Sequence, residues 1–557
     1  MKKLIFGSML LGGAFMASCS DNVYEAPVNE EYSKSFVERF GPISPEQDWN
    51  LAERKSVTVN PGSATNVKIY AATVDAYRLV GDFSNLSGKT TLQFDAAQNV
   101  NDFIVYAGNK ALNVKNGETA DFSVLSRNYK TEVNNVWKKL TEEKVFQLND
   151  VAPFLQKLRE DIDNRNNETV HTDFLALTTA ARSIKVYPVY WNAGYHHTLG
   201  IYTYDEDNNK TYHPIYDSKT GNDVTVKFSN KTGYVTPMSV PCWNGGDNTT
   251  YAINNANTLV QSIKSKGFEI TLPEGIVFGF YIDAWNSSNQ YIGRWHSEQA
   301  LNTDDQYGRP NGHAAFTTVT TEVDGVRRSR TFLGFEDTQM PAGTYCDNDL
   351  NDLVIIFDPA PVIIDNTTDE WILAAEDLGQ IDDYDFNDMV VSVKHVAGQE
   401  TAEITPRAAG GVYELYLTRN GQTVGGKEFH KLISPSVTAD ENGQYPMLNT
   451  SAAGAAGQTF TIPVPKTFSM ATYGDVDQMG GFGLTVKRKN QTPSEVVVTP
   501  PGLGDTPQMI CVPANFKWPK ERVSMEVAYP TFGNFGIDYT DVNWMNSQVA
   551  DKVLFNK

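Results

Sequence analysis

The chain has 557 residues, 40% of them apolar and 11% aromatic, which is enough for three or four packed domains and excludes a disordered or fibrous protein. A formal net charge of −21 excludes nucleic-acid backbones and anionic lipid as direct partners, and suits cation binding or solubility. Gly, Asn, Thr, Tyr and Val are plentiful and helix-periodic stretches few, a balance that favours β-structure.

Lys2 and Lys3 open the chain, and Leu4 to Ala17 form an apolar stretch too short to span a bilayer in mature form. Met16-Ala17-Ser18-Cys19 resembles a bacterial lipobox, with Met16 where Leu is commoner. The resemblance implies a signal peptide over 1–18, a lipid on Cys19 and a Gram-negative lipoprotein held by its acyl chains. The expected location is the outer membrane, exposed at the cell surface, with the N-terminal lipid as the membrane contact. Cys242, Cys346 and Cys511 remain, an odd number without CxxC spacing, so buried free thiols are favoured over a disulfide.

Residues 19–50 are polar and read as a tether, with Phe36, Phe40-Gly41 and Asp48-Trp49-Asn50 docking on the first domain. Residues 51–130 alternate apolar and polar (Val57, Val59, Val67, Ile69, then Leu92, Phe94, then Ile104, Tyr106), which predicts a small antiparallel β-domain. Residues 131–178 carry helical spacing at Val133, Val136, Trp137 and Leu140 and again at Val151, Phe154, Leu155 and Leu158, which predicts two amphipathic helices. Strands resume at Ile184–Tyr190, Thr198–Tyr204, Gly267–Leu272 and Val277–Ile282. A first β-sandwich is expected over 179–360. The joint Asp358-Pro359-Ala360-Pro361 then precedes a second β-domain over 365–550, with long loops at 438–457 and 490–507. The fold class is thus mostly β: antiparallel sandwiches or jelly-roll-like domains with a short helical insert.

Two segments repeat one acidic pattern. Glu336-Asp337 precedes Asp347, Asp349, Asn351 and Asp352 and the apolar run Leu353 to Phe357; Glu376-Asp377 precedes Asp383, Asp385, Asn387 and Asp388 and the run Met389 to Val393. So many carboxylates at one place cost free energy unless a cation neutralises them. A D-x-D-x-N turn aims hard oxygens at one point, as in the first half of an EF-hand loop, and a flexible carboxylate-rich loop suits calcium better than magnesium. The EF-hand likeness stops there: Asp352 or Asp388 stands where Gly is required, and a strand follows rather than a helix. Neighbouring strand residues face opposite ways, so not all of these groups can ligate one ion, and Asn351 and Asn387 are candidates for bracing the turn instead. The plain alternative is a solvated acidic turn; the second copy argues against it.

Trp371-Ile372-Leu373-Ala374-Ala375-Glu376-Asp377-Leu378-Gly379 leading to Asp385-Phe386-Asn387-Asp388 resembles the LruC-type domain of Gram-negative lipoproteins. So do Pro406-Arg407-Ala408-Ala409-Gly410-Gly411, Cys511-Val512-Pro513, Trp518-Pro519-Lys520-Glu521-Arg522 and Ala528-Tyr529-Pro530. The block over about 180–358 is similar to a partner domain of unknown function, through Leu333-Gly334-Phe335-Glu336-Asp337 and through Ser297, Leu301, Asn302 and His313. The resemblance implies a β-rich, exported, surface-associated protein without established catalysis. The longer gap from Asp337 to Asp347, against Asp377 to Asp383, departs from it.

No HExxH, GxSxG, Walker or dinucleotide motif is present. Gly194-Tyr195-His196-His197 reads as a structural turn, because adjacent histidines on a strand face opposite ways. Trp191, Tyr195, Trp285, Tyr291 and Trp295 read first as core or strand-edge fillers and second as a sugar-stacking surface. The expected function is a non-enzymatic, surface-exposed binding, adhesion or scaffold module, with structural calcium and a glycan or protein ligand. The alternatives are a polysaccharide-directed hydrolase and a fimbria-like assembly subunit.

Overall fold

The computed structural model describes residues 26–73, 77–108, 110–123, 137–140, 144–147, 170–171, 174–177, 182–190, 195–204, 209–215, 262–265, 267–272, 277–286, 288, 290–298, 301–302, 313–323, 326–337, 350, 352–358, 362–378, 383–471 and 478–555. The fold is mostly β, with several antiparallel sheets and few helices. Among the described residues no helix is long and apolar enough to cross a membrane.

Among the described residues three larger cores follow one another, with a smaller cluster of Tyr70, Leu79, Ile104, Val277 and Ile364 beside them. In the first, the sheet carrying Ala52–Asn60, Thr90–Ala97 and Thr119–Asp121 closes over Thr65–Ala72, Tyr77–Leu86 and Asp102–Ala107, burying Val57, Val67, Phe94 and Phe103. In the second, strands including Arg182–Tyr190, Val326–Phe335 and Leu353–Asp358 face His196–Tyr204 and Val277–Trp285 across Ile184, Phe280, Phe316 and Phe357. In the third, Glu370–Ala375, Met389–Lys394, Thr401–Ala408, Phe460–Pro463 and Met509–Pro513 make one sheet, and Glu414–Arg419, Phe482–Lys487 and Glu495–Val498 belong to another. Apolar residues at every second position of Thr401–Ala408 and Glu495–Val498 face the space between, while Glu370–Ala375 is buried along its whole length.

Four expectations change. Residues 26–40 form a helix rather than a tether. Tyr32, Phe36 and Phe40 recur at i, i+4, i+8, and the stripe docks on the third core, not the first, together with Trp49 and Leu51. Trp137, expected on a helix, lies in the strand Trp137–Lys139 and pairs with Ile270. Lys144–Gln147, Val170–His171 and Phe174–Leu177 are also strands, because pairing partners distant in sequence override a weak local helical pattern; Leu140 follows the strand Trp137–Lys139 and its amide donates to Gly267 O at 3.0 Å, while Val133, Val136, Val151, Phe154, Leu155 and Leu158 lie outside the described residues. The joint at 358–361 falls between two sheets, but the strand after it returns to the earlier part of the fold instead of opening the second acidic block. Val362–Thr368 runs antiparallel to Phe174–Leu177 and parallel to Tyr77–Leu86, so the first and second cores share one large sheet. The expected loop at 490–507 contains the strand Glu495–Val498.

Candidate cation sites at two acidic hairpins

The acidic repeat folds into two hairpins of the same register. In the first, Phe335 pairs with Leu353 and Gly334 with Val354; in the second, Ala375 pairs with Met389 and Ala374 with Val390. In each, the Glu-Asp pair follows the outgoing strand, and the last Asp of the motif begins the return. The Asp337 amide donates to Asp352 Oδ2 at 2.6 Å, and the Asp377 amide donates to Asp388 Oδ2 at 2.7 Å. Leu350 and Phe386, each two residues before that capping Asp, both adopt left-handed backbone, at φ 52° and 48°. Held in that region by their buried side chains, these residues carry local strain of the kind found at ligand clamps. In the first hairpin the backbone passes so close to Gly334 that a Cβ there would lie 2.2 Å from Leu350 O.

In the second mouth, Glu376, Asp383 and Asp385 each place a carboxylate oxygen within 4.8 Å of the others. Glu376 Oε1 accepts from the Phe386 amide at 2.6 Å, and Asp385 accepts from the amides of Asn387 and Arg522 at 3.2 and 2.7 Å. Burial, and then the charges of neighbouring carboxylates, push Glu376, Asp385 and Asp388 well above the usual carboxylate range. Like charges about 4 Å apart at an effective dielectric near 20 repel by about 4 kcal/mol. Such crowding favours taking up a proton or a cation. Asp377 and Asp388 stand beside this trio without belonging to it, and Asp377 Oδ2 lies against Gly411, where a Cβ would come within 2.8 Å. Asn387 braces the turn: its Nδ2 donates to Pro519 O at 3.1 Å and its Oδ1 lies against Gly410.

The first mouth brings Glu336, Asp337 and Asp352 within the same 4.8 Å. Burial first, then Asp337 and Glu336, raise Asp352. Asp347, Asp349 and Asn351 lie outside the described residues, as do Cys19, Cys242 and Cys346. Cys511 is a buried free thiol.

Several neighbours of these sites come from far away in the sequence. Residues 519–525 are tied to the second mouth by the Asn387–Pro519 and Arg522–Asp385 bonds and by the Met525 amide, which donates to Tyr384 O at 2.9 Å. This brings in Glu521. Among the described residues its Oε2 is buried without a hydrogen-bond partner, and its charge contributes to raising Asp385. At the first mouth, His197 Nε2 lies 2.7 Å from Asp337 Oδ2, so this histidine is part of the acidic environment and not the simple turn expected of it. Trp295 donates Nε1–H to Asp337 O at 3.1 Å and stacks on His313 at 3.8 Å. Burial pushes His313 down to about 4, leaving a neutral ring whose Nδ1–H donates to Glu336 O. The sequence singles out Glu521 only within Trp518–Arg522 and His197 only within Gly194–His197, and neither segment points to an acidic mouth; long-range folding delivers both.

No family model matches the sequence, and no curated protein matches it. A crystal structure described as "a Putative lipoprotein from Bacteroides ovatus" is similar at 13% identity and a TM-score of 0.20, over 44% of this chain and 92% of that one. A Streptomyces avermitilis alpha-L-rhamnosidase complexed with L-rhamnose is similar at 11% identity and a TM-score of 0.10, over 82% of this chain and 38% of that one. Scores this low establish no shared fold. The resemblance to LruC-type domains rests on the residues that carry it.

Proposed function

We propose that the protein is a lipid-anchored, extracytoplasmic binding or scaffold module whose two acidic hairpins each take a structural calcium ion. The observation that carries this reading is the repeated geometry: the same register, the same Asp-to-amide cap, and three converging carboxylates at each mouth. At the second mouth Glu376, Asp383 and Asp385 would hold the ion, with Glu521 adding a fourth hard oxygen donor. Calcium takes such carboxylate sets readily, and bound there it would offset repulsion that the hydrogen bonds alone leave standing. Tyr291 is exposed and edge-on to Trp285 at 5.1 Å, offering a ring for a sugar or protein ligand. Cys19 would carry the lipid.

Thermal unfolding in calcium against chelator tests the metal. Extracellular calcium modules bind with Kd of about 10⁻⁴–10⁻³ M. At 100 times Kd the ion adds about 2.7 kcal/mol, which raises Tm by about 5–10 °C for a domain of 150–250 residues. Asp385→Ala is expected to remove the contribution of the second site and Asp352→Ala that of the first. A melting curve indifferent to chelation rejects the reading. Screening a glycan array for binding and for turnover separates a binding module from a hydrolase.

A further inference from the structure

Arg488 follows the strand Phe482–Lys487 and is only 5% exposed. Its Nη1 donates to Leu378 O at 3.3 Å, and among the described residues its Nε and Nη2 are buried without a hydrogen-bond partner. Those two nitrogens form one edge of the guanidinium, whose parallel N–H bonds match the two oxygens of a carboxylate or phosphate. Elsewhere in the molecule that edge meets acids. Arg294 sets Nε and Nη2 on the two oxygens of Asp283 at 2.6 and 2.7 Å, and Arg407 sets Nη2 on Glu370 at 2.6 Å. Among the described residues no acid takes the edge of Arg488. A guanidinium does not escape burial by losing its proton, and a buried charge without a counter-charge is costly. Water accepts such hydrogen bonds but leaves the charge uncompensated.

Arg488 helps to line a cleft of about 320 Å³, together with Glu414, Tyr445, Lys487, Lys489 and Ser494, a volume at the small end for small-molecule sites. The flanking cations meet neutral groups: Lys487 Nζ stands 4.9 Å from the centre of the Tyr416 ring, and Lys489 Nζ donates to the backbone Glu441 O at 3.0 Å. Glu414 accepts from the Tyr416 hydroxyl, and Tyr445 is fixed by stacking on the buried His430 at 4.8 Å. We infer that this cleft binds a small hydroxylated anion, such as an acidic sugar, whose carboxylate or phosphate takes the Nε–Nη2 edge of Arg488. Lys487 and Lys489 share the charge, and Glu414 accepts from the ligand's hydroxyls. The site requires neither the lipid anchor nor bound calcium, and it is built on the strands Glu414–Arg419 and Phe482–Lys487 rather than on the hairpin of Tyr291.

Calorimetric titration of the full chain with glucuronate, glucose 6-phosphate and glucose, at constant ionic strength and without added calcium, tests the inference. Saturable binding of either anion, with glucose bound at least several-fold more weakly, is the expected result. Glucuronate alone assigns a carboxylate ligand, glucose 6-phosphate alone a phosphorylated one, and either supports the site. Arg488→Lys keeps the charge but loses the fork, and is expected to abolish saturation. Should that variant fail to fold, Lys487→Ala combined with Lys489→Ala, both exposed positions, is expected to weaken binding several-fold at unchanged Tm. No saturable binding of either anion by the folded chain overturns the inference. So does glucose bound as tightly as the anions, or binding undiminished in the folded variants. Each of these results leaves the calcium reading and its chelator test untouched.

Discussion

Glu370 shows how one carboxylate's surroundings set its contribution to stability. It is buried at the start of the strand leading to the second mouth, where Arg407 Nη2 donates to it at 2.6 Å and Lys394 stands at 3.3 Å. Burial alone would raise its pKa, but Arg407 and Lys394 outweigh that and hold it below the ordinary 4.5. A depressed folded pKa means stability that is present above about pH 4.5 and lost as pH falls through the folded value. Glu370→Gln is expected to flatten the acid limb of stability against pH; an unchanged limb would show that the ion pair contributes nothing. The carboxylates of the second mouth act in the opposite sense. Glu376, Asp385 and Asp388 are raised, chiefly by burial, so in chelator their contribution is present at low pH and lost as pH rises through their folded values. Calcium would reverse that loss near neutral pH. Denaturant midpoints measured across pH with and without calcium would show the two curves diverging upward; parallel curves would contradict it.

At the scale of elements, the strands and the acidic hairpins were legible because their information is local. Period-two burial runs along Thr401–Ala408, and a hairpin keeps its loop beside its own strands. The site's outer parts were not legible: Glu521 reaches Asp385, and His197 reaches Asp337, only after distant segments pack. The N-terminal helix was half visible, since its stripe of Tyr32, Phe36 and Phe40 stands in the sequence, but the surface that receives it does not. That surface is the back of the acidic turn itself. Tyr384, left-handed at φ 54° between Asp383 and Asp385, sends its ring against Tyr32, Phe36 and Phe40 at 5.0, 5.5 and 5.6 Å and donates its hydroxyl to Tyr32 O. Phe36 is fully buried at the centre of this group and also meets Trp49 at 5.6 Å. Phe36→Ala is therefore expected to cost about 3–5 kcal/mol, read as a lower urea midpoint at unchanged m-value. A loss under 1 kcal/mol would mean that the helix is an appendage and not part of the core.

At the scale of the molecule, the linear division of the chain does not match its division into cores. Residues 365–550 look self-contained in sequence, yet their core is completed from the other end of the chain. Trp49 donates to Asp505 O at 2.8 Å, Asn50 Nδ2 donates to Met470 O at 2.8 Å, and backbone bonds join Leu51 to Cys511 and Cys511 to Trp49. Asp95, from the first core, accepts from Ser469 Oγ at 2.6 Å and from the Met470 amide at 2.7 Å. Without residues 26–60, the C-terminal sandwich would expose the places of Tyr32, Phe36, Phe40, Trp49 and Leu51, each worth about 1.5–3 kcal/mol of burial. That sum is comparable with the whole stability of an ordinary domain. A chain of residues 365–555 alone is therefore expected to lack cooperative unfolding and native near-ultraviolet dichroism. Co-expression with residues 26–60 is expected to restore both, because the missing contacts are non-covalent and lie on one continuous segment. If 365–555 alone unfolds cooperatively with a midpoint like that of the full chain, the N-terminal segment only decorates a finished core, and the coupling between that segment and the second acidic mouth is lost with it.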